Sequence, residues 1–195
     1  MWLIFLDSET TGLNPEKHRL LEIAFKVIDA RTGKALLSYE STISQPTDVW
    51  ANADPRSLGI NGFNWEELLS GKSEATVSSE ILNDLNRLGL GEHPGVFVCQ
   101  NPSFDRVFFN QLIDVDLQEH YRWPYHWLDL ASMYWMARLL NKREEAVAFQ
   151  EKELSKNAIA SYYGLPPEPL PHRAMNGVSH LIACYEAVSE SLIAE

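Results

Sequence analysis

Trp2-Leu3-Ile4-Phe5-Leu6-Asp7-Ser8-Glu9-Thr10-Thr11-Gly12-Leu13-Asn14-Pro15 is an apolar run that stops abruptly at acid. Residues 2–7 are apolar nearly throughout, as expected of a central strand covered on both faces. Residues two apart on an extended chain point to the same side, so Asp7 and Glu9 converge on one point just past the strand's edge. Paired carboxylates at a strand end are how oxygen-ligand sites for Mg²⁺ or Mn²⁺ are built, although Asp-x-Glu is also common in solvated turns.

Working outward, residues 20–29 and 35–43 read as two further strands joined by the turn Ala30-Arg31-Thr32-Gly33-Lys34, a hairpin. Residues 44–64 carry Pro46, Pro55, Gly59 and Gly62 and read as loop, with Asn64 capping a short helix over 65–69. Ile81, Leu82, Leu85 and Leu88 mark an amphipathic helix over 78–88. A short buried strand is expected at 96–99, then Gln100-Asn101-Pro102, then a helix carrying Phe104, Val107, Phe108, Leu112 and Ile113. Residues 127–130 end another strand and enter a helix to about 140. A helix near 154–163 stops at Gly164, and a last one runs from about 172 to 193. Strands first, then strands alternating with helices, imply an α/β domain with a mixed sheet. No linker divides residues 1–195, so one domain is expected.

Charge narrows the function classes. The 195 residues carry 16 basic and 27 acidic groups, a net −11, which argues against gripping long nucleic acid by charge. It is compatible with an enzyme that meets phosphates through metal ions. Cys99 and Cys184 are the only cysteines, too few for a disulfide framework, which points to a reducing compartment. The apolar start, Met1 to Leu6, has no basic n-region and is too short for a signal peptide or membrane span. A cytoplasmic protein with no membrane association is expected.

The run from Phe5 to Pro15 resembles the first motif of the DEDDh 3′–5′ exonucleases. That family includes the proofreading exonuclease subunits of bacterial DNA polymerases and the oligoribonucleases. Its second motif has a counterpart in Asn101-Pro102-Ser103-Phe104-Asp105, and its third in His172-Arg173-Ala174 before the final helix. Order and spacing agree across residues 1–190, and three motifs in order are far more specific than one. The resemblance implies an RNase H-like fold, a mixed five-stranded sheet flanked by helices. It implies two divalent ions, Mg²⁺ or Mn²⁺, that clamp the attacking and departing oxygens of a phosphodiester. Asp7 would then bridge both ions, Glu9 would ligate the first, Asp105 would hold a metal directly or through water, and His172 would be the general base. Read singly, Asp105 is also an ordinary helix N-terminal charge, and His172 an ordinary loop histidine.

The third motif is incomplete. The family's pattern is His, four residues, then Asp; counting from His172 lands on Gly177, so the fourth carboxylate is missing. One reading is an enzyme with a poorer first site, filled by water, by the amide of Asn176, or by His180 on the same helix face as Gly177. A second is a catalytically impaired member that binds nucleic-acid ends or a protein. A third is a substitution particular to this chain.

For substrate, the resemblance places Gly12 and Leu13 against the terminal nucleotide, with Leu13 wedged beside the last base and the backbones of Thr10 and Thr11 meeting the 3′-hydroxyl. The stretch Ile60-Asn61-Gly62-Phe63-Asn64 resembles the substrate-side loop of proofreading subunits, with Asn61 in place of a frequent His. Phe63 or Trp65 is then available to stack on a base. Trp2, Phe5, Phe25, Phe97 and Trp135 are expected in the core. Few basic residues flank the cleft (Lys17, His18, Arg19, Arg106, Arg173), which suggests single-stranded DNA or RNA 3′ ends as substrate. The mixed-sign run 141–145 reads as a solvated helix end. The expected function is a divalent-metal-dependent 3′–5′ exonuclease releasing nucleoside 5′-monophosphates. A phosphohydrolase acting on small nucleotides is a more distant reading. A DNA polymerase or a second copy of the chain are conceivable partners.

Overall fold

A computed structural model describes residues 1–141, 146–147 and 150–193 of the chain. Most of the mixed-sign run 141–145 lies outside these residues. The middle of the fold is β1 (Trp2–Thr10), in a five-stranded sheet of order β3-β2-β1-β4-β5. β2 (Leu20–Asp29) runs antiparallel to β1, and β3 (Ala35–Thr42) antiparallel to β2, the expected hairpin. β4 (Gly95–Cys99) and β5 (Trp127–Asp129) lie on the other side and run parallel to β1. The expected mixed five-stranded sheet is therefore present.

β1 is longer than its apolar run suggests, and the reason matters for the site. Asp7 and Glu9 were expected just past the strand's edge. They lie inside it, opposite Ala24 and Glu22 of β2. β2 supplies hydrogen-bonding partners as far as Leu20, so pairing carries the polar residues along. β4 pairs only with Trp2 to Phe5. Beyond Phe5, β1 has a neighbour on one side only, and the open side is a cleft at the C-terminal ends of the parallel strands. Such ends are where α/β sheets habitually present their sites.

Alternation along β1 feeds two cores. Ile4 and Leu6 pack on one face with Phe97, Phe108 and Phe109, under the helices α4 (Glu74–Leu88) and α5 (Pro102–Leu112). Leu3 and Phe5 pack on the other with Leu130, Ile159, Val178 and Leu181, from α7 (Leu130–Asn141), α8 (Lys156–Tyr162) and α9 (Ala174–Ile193). Phe5, Phe25 and Phe97 are buried as expected. Trp2 is only partly buried, and Trp135 is 38% exposed, because it falls on the outer face of α7.

The segment 44–64 is not the expected loop. It forms α1 (Thr47–Ala51) and α2 (Pro55–Asn61), before α3 (Trp65–Leu69). Its prolines start helices instead of breaking them: Asp54 accepts from the Arg56 N–H as N-cap, and Pro55 occupies the first turn, where its missing N–H costs nothing. Asn64 caps α3 as expected, in a reciprocal box with Glu67. A further short helix, α6 (Val115–His120), was not expected, although Asp114 caps it by accepting from the Leu117 N–H.

Candidate active site

Each acid is placed by the element that carries it. Odd-numbered residues of β1 face α9, so Asp7 and Glu9 follow Leu3 and Phe5 toward that side. Ser8 faces the other way, toward α5, and its hydroxyl donates to Asp105 Oδ1 at 2.7 Å. Asp105 sits in the first turn of α5, where a carboxylate favours the helix dipole. The entry to α5 is fixed by Asn101, which adopts a left-handed φ of 58° and donates its N–H to Asp129 Oδ1 at 3.0 Å. The third segment is tied down by Glu22, whose Oε2 accepts from the Ala174 N–H at the start of α9, at 2.6 Å. That bond brings His172 and Gly177 to the acids of β1. His172 also donates its backbone N–H to Ile60 O, at 3.0 Å.

Asp7, Ser8, Glu9, Asp105 and His172 line one cavity of about 300 Å³, with Gln100, Phe104, Ser155, Lys156, Asn157 and Glu168. Asp7, Glu9, Asp105 and His172 are thus brought together as expected. Two residues in it were not anticipated. Lys156, at the start of α8, places its Nζ 3.1 Å from Asp7 Oδ1, 2.9 Å from Glu168 Oε2 and 3.4 Å from the Gly177 carbonyl. Glu168 lies in the loop 165–173, and its side chain is 3% exposed. Its backbone N–H donates to Asn157 Oδ1, at 2.8 Å. The available signals were weak: a lysine opening a helix behind the N-cap Ser155, and an acid four residues before His172 in a proline-rich loop.

Gly177 has a structural consequence. A Cβ built there would overlap the Asp7 carboxylate, so the absent side chain leaves the room into which Asp7 leans. The two candidates for filling the gap do not fill it. Asn176 is exposed, on a different face of α9. His180 is buried beneath Glu168, with Nδ1 3.9 Å from Glu168 Oε2 and Nε2 2.9 Å from the Pro166 carbonyl.

Four carboxyl groups and one ammonium share this cavity. Burial pushes Asp7 upward from the usual carboxylate range, partly offset by Lys156 and reinforced by Glu168. Burial, with Asp7 and Glu168 close by, pushes Glu9 up to about 8. Asp105 is raised well above its ordinary value by burial and then by Asp7, against the opposing Ser8 hydrogen bond. For Lys156 burial disfavours the charge, but Asp7 and Glu168 outweigh it and hold the ammonium protonated. Such unneutralised, oxygen-rich surroundings suit a hard divalent cation. Gln100 Oε1 and Glu168 Oε1, both buried and both on residues lining the cavity, make no hydrogen bond, which leaves them as spare acceptors. Among the described residues, however, no three acid, His or Cys side chains are gathered tightly enough to hold an ion as they stand, because Asp7 is drawn to Lys156. The donor chemistry of Asp7, Glu9 and Asp105 fits an ion, while Asp7 Oδ1 already meets the Lys156 ammonium.

The residues expected at the substrate side divide. Leu13, four residues after Glu9, is 73% exposed. Gly12 has a φ of 156°, and a Cβ there would overlap the His18 ring, so only glycine fits. Thr11 donates its N–H to Arg19 O, and the Thr10 carbonyl accepts from Asn61 Nδ2 at 3.1 Å, so these groups are engaged within the chain. Asn61 is 1% exposed and braces β1. Phe63 does not offer a free stacking face: it is 5% exposed, and the Arg173 guanidinium lies 3.9 Å from its ring centre. Arg173 is in turn held by Glu67 at 2.8 Å. Trp65 packs against Trp50, with ring centres 5.9 Å apart.

The model of the exonuclease family RNase_T matches residues 4–185. The chain belongs to that family. Among curated relatives, it is 27% identical over 140 residues to ribonuclease T of Shewanella sp. (strain ANA-3), covering 69% of this chain and 63% of that protein. It is 32% identical over 108 residues to the oligoribonuclease of Nitrosomonas europaea, covering 52% of this chain and 60% of the relative. The chain thus spans about three fifths of the length of these relatives. In structure it resembles E. coli exonuclease I in complex with single-stranded DNA, with a TM-score of 0.74 at 16% identity, over 97% of this chain and 40% of that one. It also resembles the nuclease domain of the DEDDh member 3′hExo bound to rAMP, with a TM-score of 0.68 at 13% identity, over 96% and 90% of the two chains. Those likenesses establish the RNase H-like fold of an exonuclease. No helix among the described residues is long and apolar enough to cross a membrane.

Proposed function

We propose that this exonuclease-family chain is a single-domain 3′–5′ exonuclease, dependent on a divalent metal. It hydrolyses the terminal phosphodiester of single-stranded nucleic acid and releases nucleoside 5′-monophosphates. The observation that carries this reading is the cavity in which Asp7, Glu9, Asp105 and Glu168 face a single ammonium. A buried excess of negative charge is costly without a cation, and a phosphodiester cannot approach it without one.

Asp7, Glu9 and Asp105 would hold the ion. A divalent ion there supplies charge neutralisation for the phosphate and lowers the pKa of a bound water. Ser8 keeps the Asp105 carboxylate turned into the cavity. His172, at the cavity rim, takes the proton of the attacking water. Leu13 meets the terminal base, and Gly12 lets the backbone turn past His18. Asn61 and Phe63 act indirectly, one bracing β1 and the other seating Arg173 beside His172. The small number of basic groups favours short strands and chain ends over long duplexes.

A second reading, a catalytically impaired member that binds nucleic-acid ends, draws support from the contact of Lys156 with Asp7. Degradation of 5′-labelled single-stranded DNA and RNA, in Mn²⁺ and in EDTA, separates the two. A metal-dependent ladder shortening from the 3′ end, with 5′-monophosphates released, is the expected result. Retained binding without any ladder overturns it in favour of the binding module.

A further inference from the structure

We propose that Lys156 is a resident cation of this site: its ammonium takes the place of one of two metal ions, Glu168 stands in for the carboxylate missing at Gly177, and the chain takes up one divalent ion. This rests on the exonuclease reading above and specifies how its metal site is built.

Three features meet at one point. Gly177 lacks a side chain, and the Asp7 carboxylate leans into the space. Glu168 enters from the preceding loop, fixed through its N–H to Asn157 and backed by His180. Lys156 then sets its ammonium among the Asp7 carboxylate, the Glu168 carboxylate and the Gly177 carbonyl, at 3.1, 2.9 and 3.4 Å. An ammonium has three N–H donors, and three oxygens surround this one.

The Lys156 side chain is 11% exposed and is anchored from below, since α8 is capped by Ser155 and continues into the core through Ile159 and Ala160. A second divalent ion at this point would have to displace a buried, doubly paired cation. The remaining capacity lies with the carboxylate oxygens that Lys156 does not meet. Glu9 and Asp105 carry no ion pair to any described residue, and Glu168 keeps one buried oxygen with no partner. The spare charge there suits one ion.

Counting bound Mn²⁺ on the full chain, by calorimetric titration and by loss of the free-ion paramagnetic resonance signal, tests this without any turnover. The wild type should take up one equivalent, and Lys156→Gln should gain a second, because Asp7 and Glu168 are then released to ligate. Two equivalents in the wild type overturn the proposal while leaving the exonuclease reading intact. One equivalent in both proteins overturns it too. No uptake by either overturns this proposal and the metal-dependent reading together. Should Lys156→Gln fail to fold by circular dichroism, the wild-type count still decides, one ion against two.

Discussion

The two halves of the site are built by different physics. The acid half (Asp7, Ser8, Glu9 and Asp105) stands on a central strand and the first turn of a helix, and each side chain points where backbone periodicity sends it. The other half (Lys156, Glu168 and Gly177) is gathered from a helix start, a proline-rich loop and a second helix, and its two charged residues are held by pairing with each other and with Asp7. The first half lacks cations and the second supplies one. Function and fold stability are therefore expected to fail separately when each half is broken.

Substitution in the acid half should have the largest effect on turnover and a small one on stability. Losing a partner of a metal ligand costs about 10–100-fold, so losing Asp105 itself as Asn should cost at least about 100-fold in rate of strand shortening. Because burial and the nearby Asp7 disfavour the charged form of Asp105, a neutral amide there should leave the melting temperature close to wild type. A large fall in melting temperature with turnover intact would reverse the roles assigned to the two halves.

Substitution in the charged half should do the opposite. Lys156→Met leaves buried Asp7 and Glu168 without their cation, which typically costs about 3–5 kcal/mol, or roughly 6–20 °C in melting temperature for a chain of this size. Adding Glu168→Leu should recover part of that loss. If the double variant melts lower than the single, the pair is not what holds the loop.

The comparison also predicts a pH response. Glu9 is raised to about 8 by burial among like charges, against 4.5 for a free glutamate. The folded chain then holds more protons than the unfolded one between these values. Its stability without metal must fall as pH rises through that window and level off above about 8. Thermal melts in EDTA at pH 5 and pH 8 should show the lower value at pH 8, and Mn²⁺ should reverse the difference. A stability that rises with pH in EDTA would remove the argument for excess negative charge.

A smaller effect is expected from Gly177→Asp. Its Cβ would collide with the Asp7 carboxylate, so Asp7 must turn away and a further negative charge enters the cavity. Overpacking of this kind costs about 1–3 kcal/mol. The metal-free variant should melt a few degrees lower, and an increase would show that the added carboxylate pairs with Lys156 without displacing Asp7.

This division also explains what could be read in the sequence. The succession of strands and helices, the hairpin and the pairing of Asp7 with Glu9 were legible because period-two burial fixes side chains locally, whereas Asp105 was legible only through the family resemblance. Asn64 announced α3 through its cap for the same reason. The extension of β1 to Thr10 was hidden, since only the partner strand β2 decides where pairing stops. Lys156 and Glu168 were hidden more deeply. They are polar residues with no periodicity, and they are buried only because they find each other and Asp7. The role of Phe63 was misjudged in the same way: the ring is aromatic and lies near the cleft, but Arg173 covers it. Gly177 was visible as a missing carboxylate, whereas the ammonium beside its carbonyl needed three-dimensional contacts to appear.

The central claim is that the acid half carries metal-dependent hydrolysis of strand ends. The most direct measurement is a time course of a 5′-labelled single strand in Mn²⁺ with wild type and Asp105→Asn side by side, both confirmed folded by melting. The account predicts a ladder receding from the 3′ end with the wild type and almost none with the variant. Equal ladders from the two proteins, or no ladder from the wild type, would contradict it.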